Sequence, residues 1–524
     1  MQRVHATDKD LTRRGRRRRL VVAVVAAGAL VAGATTVAAI SSKGSTDFSQ
    51  GPGIKGSIEV GDYFGGALAI GDFDNDGRGD LIAGAPFENF KSRADIGQIH
   101  VVYGTRNGLS TDDDITLHQG TPKVKGKSEV DDRWGSAVAV GDFDGDGYDD
   151  AVVGAVGEDT KRHVDAGSFT VLYGSSRGLR GNGSKAFTAA SKGVRGPAEP
   201  YANLGHALAV GDFDGDGYDD VAVGAPGSGT GSIVGAGAVH VFYGSRNGIR
   251  ASNDQRFHQN TPGIADDREA GDGFGSALAA GDFDRDGRDD LAIGVPGETV
   301  GGHIMAGAVH VIPGGAKGLR AGASSFITQN SGDLATDAGP DEFFGASLAA
   351  ADYDGNRRAD LAIGSPGEAV NGRPSAGMVH VLYGKKSGLK VNGSTGFHEA
   401  TSGINGAAEA GDEFGLTLAA GDFNDNGRDD LAVGAPGEGI GEATGAGKVH
   451  VLFGGTNGIR LSKHEAYRLG KGRMPGAPGA NGGFSRAIAV GDIDGDDRAD
   501  MVVGAPGQTM GNDGGAGMIV MLFG

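Results

Sequence analysis

Asp72-Phe73-Asp74-Asn75-Asp76-Gly77-Arg78-Gly79-Asp80 is a nine-residue acidic stretch, and its opening aspartate recurs every 70 residues at Asp142, Asp212, Asp282, Asp352, Asp422 and Asp492. Seven copies at fixed spacing signal one supersecondary unit repeated in a ring or stack. In the fourth copy, Phe274 to Phe283 reads as a strand of small residues and Asp282 to Asp290 as an acidic turn. Leu291 to Pro296 is a second strand, Gly307 to Gly314 a third, and a weaker fourth lies near Ser325 to Gln329. Four short antiparallel strands per unit predict an all-β, seven-bladed propeller. The Ala/Gly-rich strand suits the crowded centre, with Phe274 and Phe283 wedged between blades. The last unit stops at Gly524, straight after its third strand. Phe48 to Ile54, within a segment near residues 46–56, is therefore expected to supply the outer strand of the last blade of a propeller spanning 41–524.

Composition agrees with many strands and tight turns: 101 of 524 residues are glycine, with no collagen period. Net charge is −19; residues 1–40 hold eight basic and two acidic side chains, so the remainder carries −25. That argues against nucleic acid or an anionic membrane as partner. With no cysteine, disulfides, thiolate metal sites and a cysteine nucleophile are excluded. Residues 1–40 read as an export signal: Arg13-Arg14-Gly15-Arg16-Arg17-Arg18-Arg19 precedes the uncharged apolar stretch Leu20 to Ile40. It is expected to be a helix, either a cleaved signal peptide or a retained signal anchor. The chain is thus expected to be secreted or held at the cell surface, touching a membrane only through that segment if uncleaved.

Each acidic loop offers side-chain oxygens at positions one, three, five and nine and a backbone carbonyl at position seven. The sets are Asp72, Asp74, Asp76, Arg78 and Asp80; Asp142, Asp144, Asp146, Tyr148 and Asp150; Asp212, Asp214, Asp216, Tyr218 and Asp220; and Asp282, Asp284, Asp286, Arg288 and Asp290. They continue with Asp352, Asp354, Asn356, Arg358 and Asp360; Asp422, Asn424, Asn426, Arg428 and Asp430; and Asp492, Asp494, Asp496, Arg498 and Asp500. Hard oxygen ligands in a flexible turn suit calcium, and magnesium less, because it resists dehydration. Roughly four to seven ions are expected per chain. Loop five, with Arg357 at the glycine position, and loop six, with only two carboxylates in the set, are expected to bind weakest; Asp497 is expected to strain loop seven.

Two other positions recur. His100, His240, His310, His380 and His450 share a third-strand site where Thr170 and Val520 also stand, which favours packing over a metal ring. Glu88, Glu158, Glu298, Glu368 and Glu438 follow the second strand and are expected to be turn residues or to hydrogen-bond a neighbouring blade, rather than to form a carboxylate ring at the channel mouth.

Phe-Gly, then Gly-Asp-Phe-Asp-x-Asp-Gly-x-x-Asp, then Gly-Ala-Pro resembles the FG-GAP repeat of integrin alpha propellers, and also the propeller of the glycosylphosphatidylinositol-specific phospholipase D family. The resemblance covers 46–524 and implies calcium loops between the first and second strands. Nothing in the 524 residues resembles an inserted adhesion domain, leg domains or the phospholipase zinc domain. It further implies ligand recognition on the face opposite those loops. There Phe87, Phe90, Lys91 and Arg93 of the first unit and Lys161, Arg162 and His163 of the second make a candidate basic-aromatic ligand patch. The leading expectation is a monomeric, calcium-binding, adhesion-type module for an extracellular protein or glycan. The alternative is an extracellular hydrolase or hydrolase-associated propeller, although no nucleophile elbow or His-Glu-x-x-His appears.

Overall fold

The computed structural model describes residues 40–51, 53–229 and 232–524. A strand β1 (Ser41–Phe48) comes first. Blade one is β2 (Ala67–Gly71), β3 (Asp80–Ala85), β4 (Gln98–Thr105) and β5 (Gly108–Leu117). Blade two is β6 (Trp134–Gly141), β7 (Asp150–Ala155), β8 (Ser168–Tyr173) and β9 (Arg180–Phe187). Blade three is β10 (Leu208–Gly211), β11 (Asp220–Ala225), β12 (Ala238–Phe242) and β13 (Gln255–Phe257). Blade four is β14 (Ala277–Gly281), β15 (Asp290–Val295), β16 (Ala308–Ile312) and β17 (Ser325–Ile327). Blade five is β18 (Ser347–Ala351), β19 (Asp360–Ser365), β20 (Met378–Lys385) and β21 (Gly388–Phe397). Blade six is β22 (Thr417–Gly421), β23 (Asp430–Ala435), β24 (Lys448–Phe453) and β25 (Arg460–Tyr467). Blade seven is β26 (Ala487–Gly491), β27 (Asp500–Ala505), β28 (Met518–Phe523) and β1, so strands from both ends of the repeat array share one sheet. All seven sheets are four-stranded and every ladder is antiparallel.

The closing strand lies earlier than the sequence suggested. Ser41 pairs with Phe523, Thr46 with Met521 and Phe48 with Ile519. Gly51 to Ile54 is a turn, with the Gly51 N–H on the Ile54 carbonyl at 2.9 Å and the Ile54 N–H on the Ser49 carbonyl at 3.1 Å. The strand itself ends at Phe48, before the Pro-Gly-Ile stretch on which the sequence placed it. The expected N-terminal helix lies outside the described residues; among those described there is no α-helix.

Burial sits between blades. Seven apolar clusters each join two neighbours: Phe73, Ile82, Ile99, Trp134 and Val153 bind blade one to two, and Phe64, Leu81, Ile493, Ile519 and Met521 bind seven to one. Close approach makes this possible. A Cβ placed on Gly154 of β7 would stand 2.1 Å from the Gly205 carbonyl of blade three. Two rings of backbone hydrogen bonds run round the molecule. At one face the N–H of Phe64, Trp134, Leu204, Phe274, Phe344, Phe414 or Phe484 donates to the preceding blade, as from Trp134 to Ile96 at 3.0 Å. At the other the loops bond one another, and Gly79 N–H on the Asp492 carbonyl (2.6 Å) closes the circle.

Candidate functional site: acidic loops and the face opposite

Each acidic loop links the first strand of a blade to the second, so all seven share one face. The opening carboxylate folds the loop over itself. Asp142 Oδ1 accepts from Gly145 (2.6 Å) and Asp146 (3.1 Å), and Oδ2 from Gly147 (3.1 Å). At position five, Asp146 Oδ1 accepts the Tyr148 N–H at 3.1 Å. The closing carboxylate is a staple: Asp150 Oδ2 accepts from Phe143 (3.1 Å) and Oδ1 from Gly174 at the end of the third strand (2.8 Å). Asp80, Asp220, Asp290, Asp360 and Asp500 make the same two bonds; Asp430 keeps the one from Gly454 (2.8 Å), while its Oδ2 accepts from Asn424, and all seven are buried. Position six takes positive φ throughout, at Gly77 (91°) but also at Arg357 (66°) and Asp497 (70°). That is the strain expected of a side chain there.

The carboxylate oxygens converge. In Asp72/Asp74/Asp80, Asp142/Asp144/Asp146, Asp212/Asp214/Asp220 and Asp282/Asp284/Asp286, one oxygen from each residue lies within 4.8 Å of the others, close enough to share a cation. Asp74 Oδ1 and Asp494 Oδ1 are buried without a hydrogen-bond partner, as ligand oxygens would be without their ion. Burial, with like charge nearby, pushes the closing carboxyls up: Asp80 and Asp360 to about 8, Asp150 and Asp220 to about 9, Asp290, Asp430 and Asp500 to about 7. Backbone donors oppose that rise without cancelling it. The donor set therefore fits a hard divalent cation that would hold these groups ionised.

Loops five and six differ. Asn424 Nδ2 donates to Asp430 Oδ2 and Asn426 Nδ2 to Asn424 Oδ1, so in loop six amide protons occupy oxygens at positions three and nine, whereas loops one to four carry aspartates at positions three and five. In loop five Lys385 Nζ lies 3.5 Å from Asp354, Asn356 turns its amide to the Gly384 carbonyl (3.3 Å), and Arg358 donates to Asn356 Oδ1 (3.3 Å).

Sequence reasoning overlooked position eight. Asp149, Asp219, Asp289 and Asp429 each accept, through Oδ2, the backbone N–H of the opening aspartate one blade back, at 2.8–3.0 Å. The doubled Asp149-Asp150 type of ending was the available signal.

The recurrent histidines are buried, and His100, His310, His380 and His450 each pack on the Phe of their own repeat's Phe-Gly pair, as Phe64 with His100 (centroids 5.1 Å) and Phe344 with His380 (5.6 Å). Burial lowers His100, His310 and His380 to about 4, so they are neutral packing residues. The recurrent glutamates are held across blade boundaries: Gln50, Gln119, Gln259 and Gln329 donate to Glu88, Glu158, Glu298 and Glu368 at 2.5–2.7 Å. Glu438 instead meets Lys448 at 2.6 Å.

On the face opposite the loops, Phe90, Lys91 and Arg93 line a cavity of about 410 Å³ with Gln119, Lys127 and Ser128. Lys91 Nζ sits 4.9 Å over the Phe90 ring, and Phe87 packs on Tyr63 (5.4 Å) beneath Arg133 (5.7 Å). Lys161, Arg162 and His163 do not line that cavity; they sit on the corresponding loop of blade two, with Lys161 and Arg162 exposed. Among the described residues the exposed large apolar side chains are Val60, Tyr63, Val130, Val164, Tyr201, Ile233, Val234, Ile304 and Met305. Every one lies on this face, either just before a first strand or between second and third strands, and they form an arc over blades one to four.

The FG-GAP repeat family matches residues 64–102, 134–172, 204–242, 274–312, 344–382, 414–452 and 484–520. The chain is 36% identical over 162 residues to the phosphatidylinositol-glycan-specific phospholipase D of Rattus norvegicus, covering 31% of this chain and 18% of that protein. It is 31% identical over 249 residues to integrin alpha pat-2 of Caenorhabditis briggsae, covering 44% and 18%, and 36% identical over 175 residues to integrin alpha-PS5 of Drosophila melanogaster, covering 32% and 15%. These alignments span less than a fifth of the relatives' own length. With seven repeats matched across more than half of its residues, the chain belongs to the FG-GAP repeat family.

Proposed function

We propose that this chain is an exported, calcium-loaded propeller that binds an extracellular protein or glycan as a monomer, through the face opposite its acidic loops. The observation that carries the reading is the arc from Val60 to Met305: every exposed large apolar side chain among the described residues lies on that one face. Apolar groups gathered on one surface, bordered by charge, mark a binding site more often than scattered ones do. Calcium on the other face holds the blades in place, and the opposite loops, free of that duty, vary. The basic-aromatic pocket of Phe90, Lys91 and Arg93, with Lys161, Arg162 and His163 beyond it, borders the arc and selects the partner's charge.

The test is retention of the protein on a glycan array and a panel of immobilised extracellular proteins, beside the double variant Tyr201→Ser/Ile304→Ser. At least one ligand is expected to lose tenfold or more in affinity to the variant, with the melting temperature unchanged. Binding that ignores the double variant would overturn the reading. So would turnover, in a phosphodiesterase and glycosidase panel, that a single loop substitution abolishes.

A further inference from the structure

Blade six departs from its neighbours at three positions that meet in space. Glu399 stands where Gln50, Gln119, Gln259 and Gln329 stand elsewhere, opposite the recurrent glutamate Glu438. Lys448 stands where the other third strands begin with Gln98, Ser168, Ala238, Ala308, Met378 or Met518. His464 stands where the outer strands carry Asp114, Ser184, Asp254, Ser324 or Ser394.

Together they build a buried charged network. Lys448 Nζ bridges Glu399 Oε1 (3.2 Å) and Glu438 Oε1 (2.6 Å), and His450 Nε2 lies 2.6 Å from Glu399 Oε1. The proton positions follow from one fixed donor. The Asn405 N–H points at His464 Nδ1 (3.3 Å), so His464 Nε2 carries the hydrogen and donates to His450 Nδ1 (3.2 Å). His450 Nε2–H is then left to donate to Glu399. Burial opposes ionisation of Glu399, but His450 and Lys448 overcome it and hold the carboxyl down to about 2.

Lys448, Glu438 and His464 form one wall of a cavity of about 850 Å³ at the outer edge of blade six, roofed by Ile40 to Lys43 of the chain's first strand. That is the volume range of ligand pockets, roughly 300–1,000 Å³. Its groups are unspent. Glu438 Oε2 is buried with no hydrogen-bond partner, and of the ammonium's three N–H bonds two are used. Across the opening stand Lys43, Arg468, Lys471 and Arg473, none with a carboxylate partner among the described residues. This basic rim sits in a chain of net charge −19.

We infer that this cavity binds an acidic saccharide of about disaccharide size, with sugar hydroxyls donating to Glu438 and the acid group held by Lys471, Arg473 and their neighbours. A buried acceptor without a donor costs about 1–3 kcal/mol, which a hydroxyl ligand relieves. A plain anion cannot, because it brings no donor. A neutral sugar leaves the four rim cations unused. The site is separate from the apolar arc on blades one to four.

The test is calorimetric titration of the full calcium-loaded chain with a hexuronate disaccharide, its neutral hexose counterpart and inorganic sulfate, an anion without an O–H donor. Hexuronate is expected to bind at least tenfold tighter than either. The rim variant Lys471→Ala/Arg473→Ala changes only exposed side chains and is expected to lose at least tenfold with its melting temperature unchanged. Glu438→Gln is expected to weaken both saccharides but not sulfate. Sulfate binding as tight as hexuronate, equal binding of the neutral sugar, no hexuronate binding, or hexuronate binding that ignores the rim variant would each overturn the assignment. Glycan retention through Tyr201 and Ile304 is unaffected by any of these outcomes.

Discussion

The two faces of the propeller are built on opposite rules. On the acidic-loop face one loop recurs seven times with few substitutions, each copy tied to its neighbour by a backbone hydrogen bond, from Asp149 N–H to the Asp72 carbonyl (3.0 Å) round to Gly79 N–H on the Asp492 carbonyl (2.6 Å). On the opposite face the backbone ring is just as regular, but the side chains above it are not: apolar over blades one to four, basic and aromatic on blade one, and a buried Glu-Lys-His network only on blade six. Repetition maintains the ring; variation is where the proposed recognition would reside. An asymmetric partner cannot be selected by a surface that is the same in every blade.

Removing divalent cations should break this division most severely. If each loop is at tenfold excess over its dissociation constant, each contributes about 1.4 kcal/mol, and five loops about 7 kcal/mol, comparable with a domain's whole stability. A large fall in melting temperature in excess EGTA is expected by differential scanning calorimetry. An unshifted transition would sink the structural role of calcium. A smaller break comes from packing. Gly154→Val places a side chain 2.1 Å from the Gly205 carbonyl, so the blades must part. A loss of about 3 kcal/mol is expected by denaturant titration, in calcium and in EGTA alike; a loss seen only in calcium would mean that the loops, not the blade contacts, set the spacing.

The effect of pH sharpens the comparison by its sign. Asp150 and Asp220 are raised to about 9 in the folded chain, mainly by burial, against about 4 when unfolded. Between those values the cation-free fold binds more protons than the unfolded chain, so its stability falls as pH rises and is lost through the folded value. Calcium must displace these protons, so its affinity should rise over the same range. The calcium-induced gain in melting temperature is expected to be larger at pH 8.5 than at pH 6. A gain that shrinks with rising pH would show that the closing carboxylates do not take part.

The ring was legible because it is written in local chemistry. A period of 70 with Asp at positions one and nine, and Asp or Asn at three and five, states the turn, the strand before it and the strand after it in every copy. The closing strand was misplaced because Pro-Gly-Ile is a strong turn signal, whereas Ser41 to Phe48 has no alternation to mark it and becomes a strand only by pairing with Met518–Phe523. The dual role of Asp80 and its equivalents was also hidden: a ligand position and a staple to the third strand look the same in sequence. Most obscure was blade six. Glu399 and Lys448 are 49 residues apart, and only the fold brings His464 beside His450.

The finest test lies within the acidic face, between a loop built of carboxylates and one that has replaced them. In loop two Asp144 Oδ1 accepts only the Asp146 N–H, at 3.2 Å, and its carboxylate belongs to a converging trio. Asp144→Asn keeps an oxygen there but removes charge, so the calcium-dependent part of stability should fall by up to about 1.4 kcal/mol while the EGTA value stays level. In loop six Asn424 already donates to Asp430 Oδ2, the internal counterpart of what a bound cation would supply in loop two. Asn424→Asp removes that donor and sets a second charge against Asp430. It should therefore lower stability in EGTA and recover it in calcium, raising calcium dependence where Asp144→Asn reduces it. Melting curves of both variants with and without calcium decide the matter. Shifts of the same sign in the two loops would mean that carboxylate count does not rank the sites, and that the asparagines of loop six are ligands as good as the aspartates they replace.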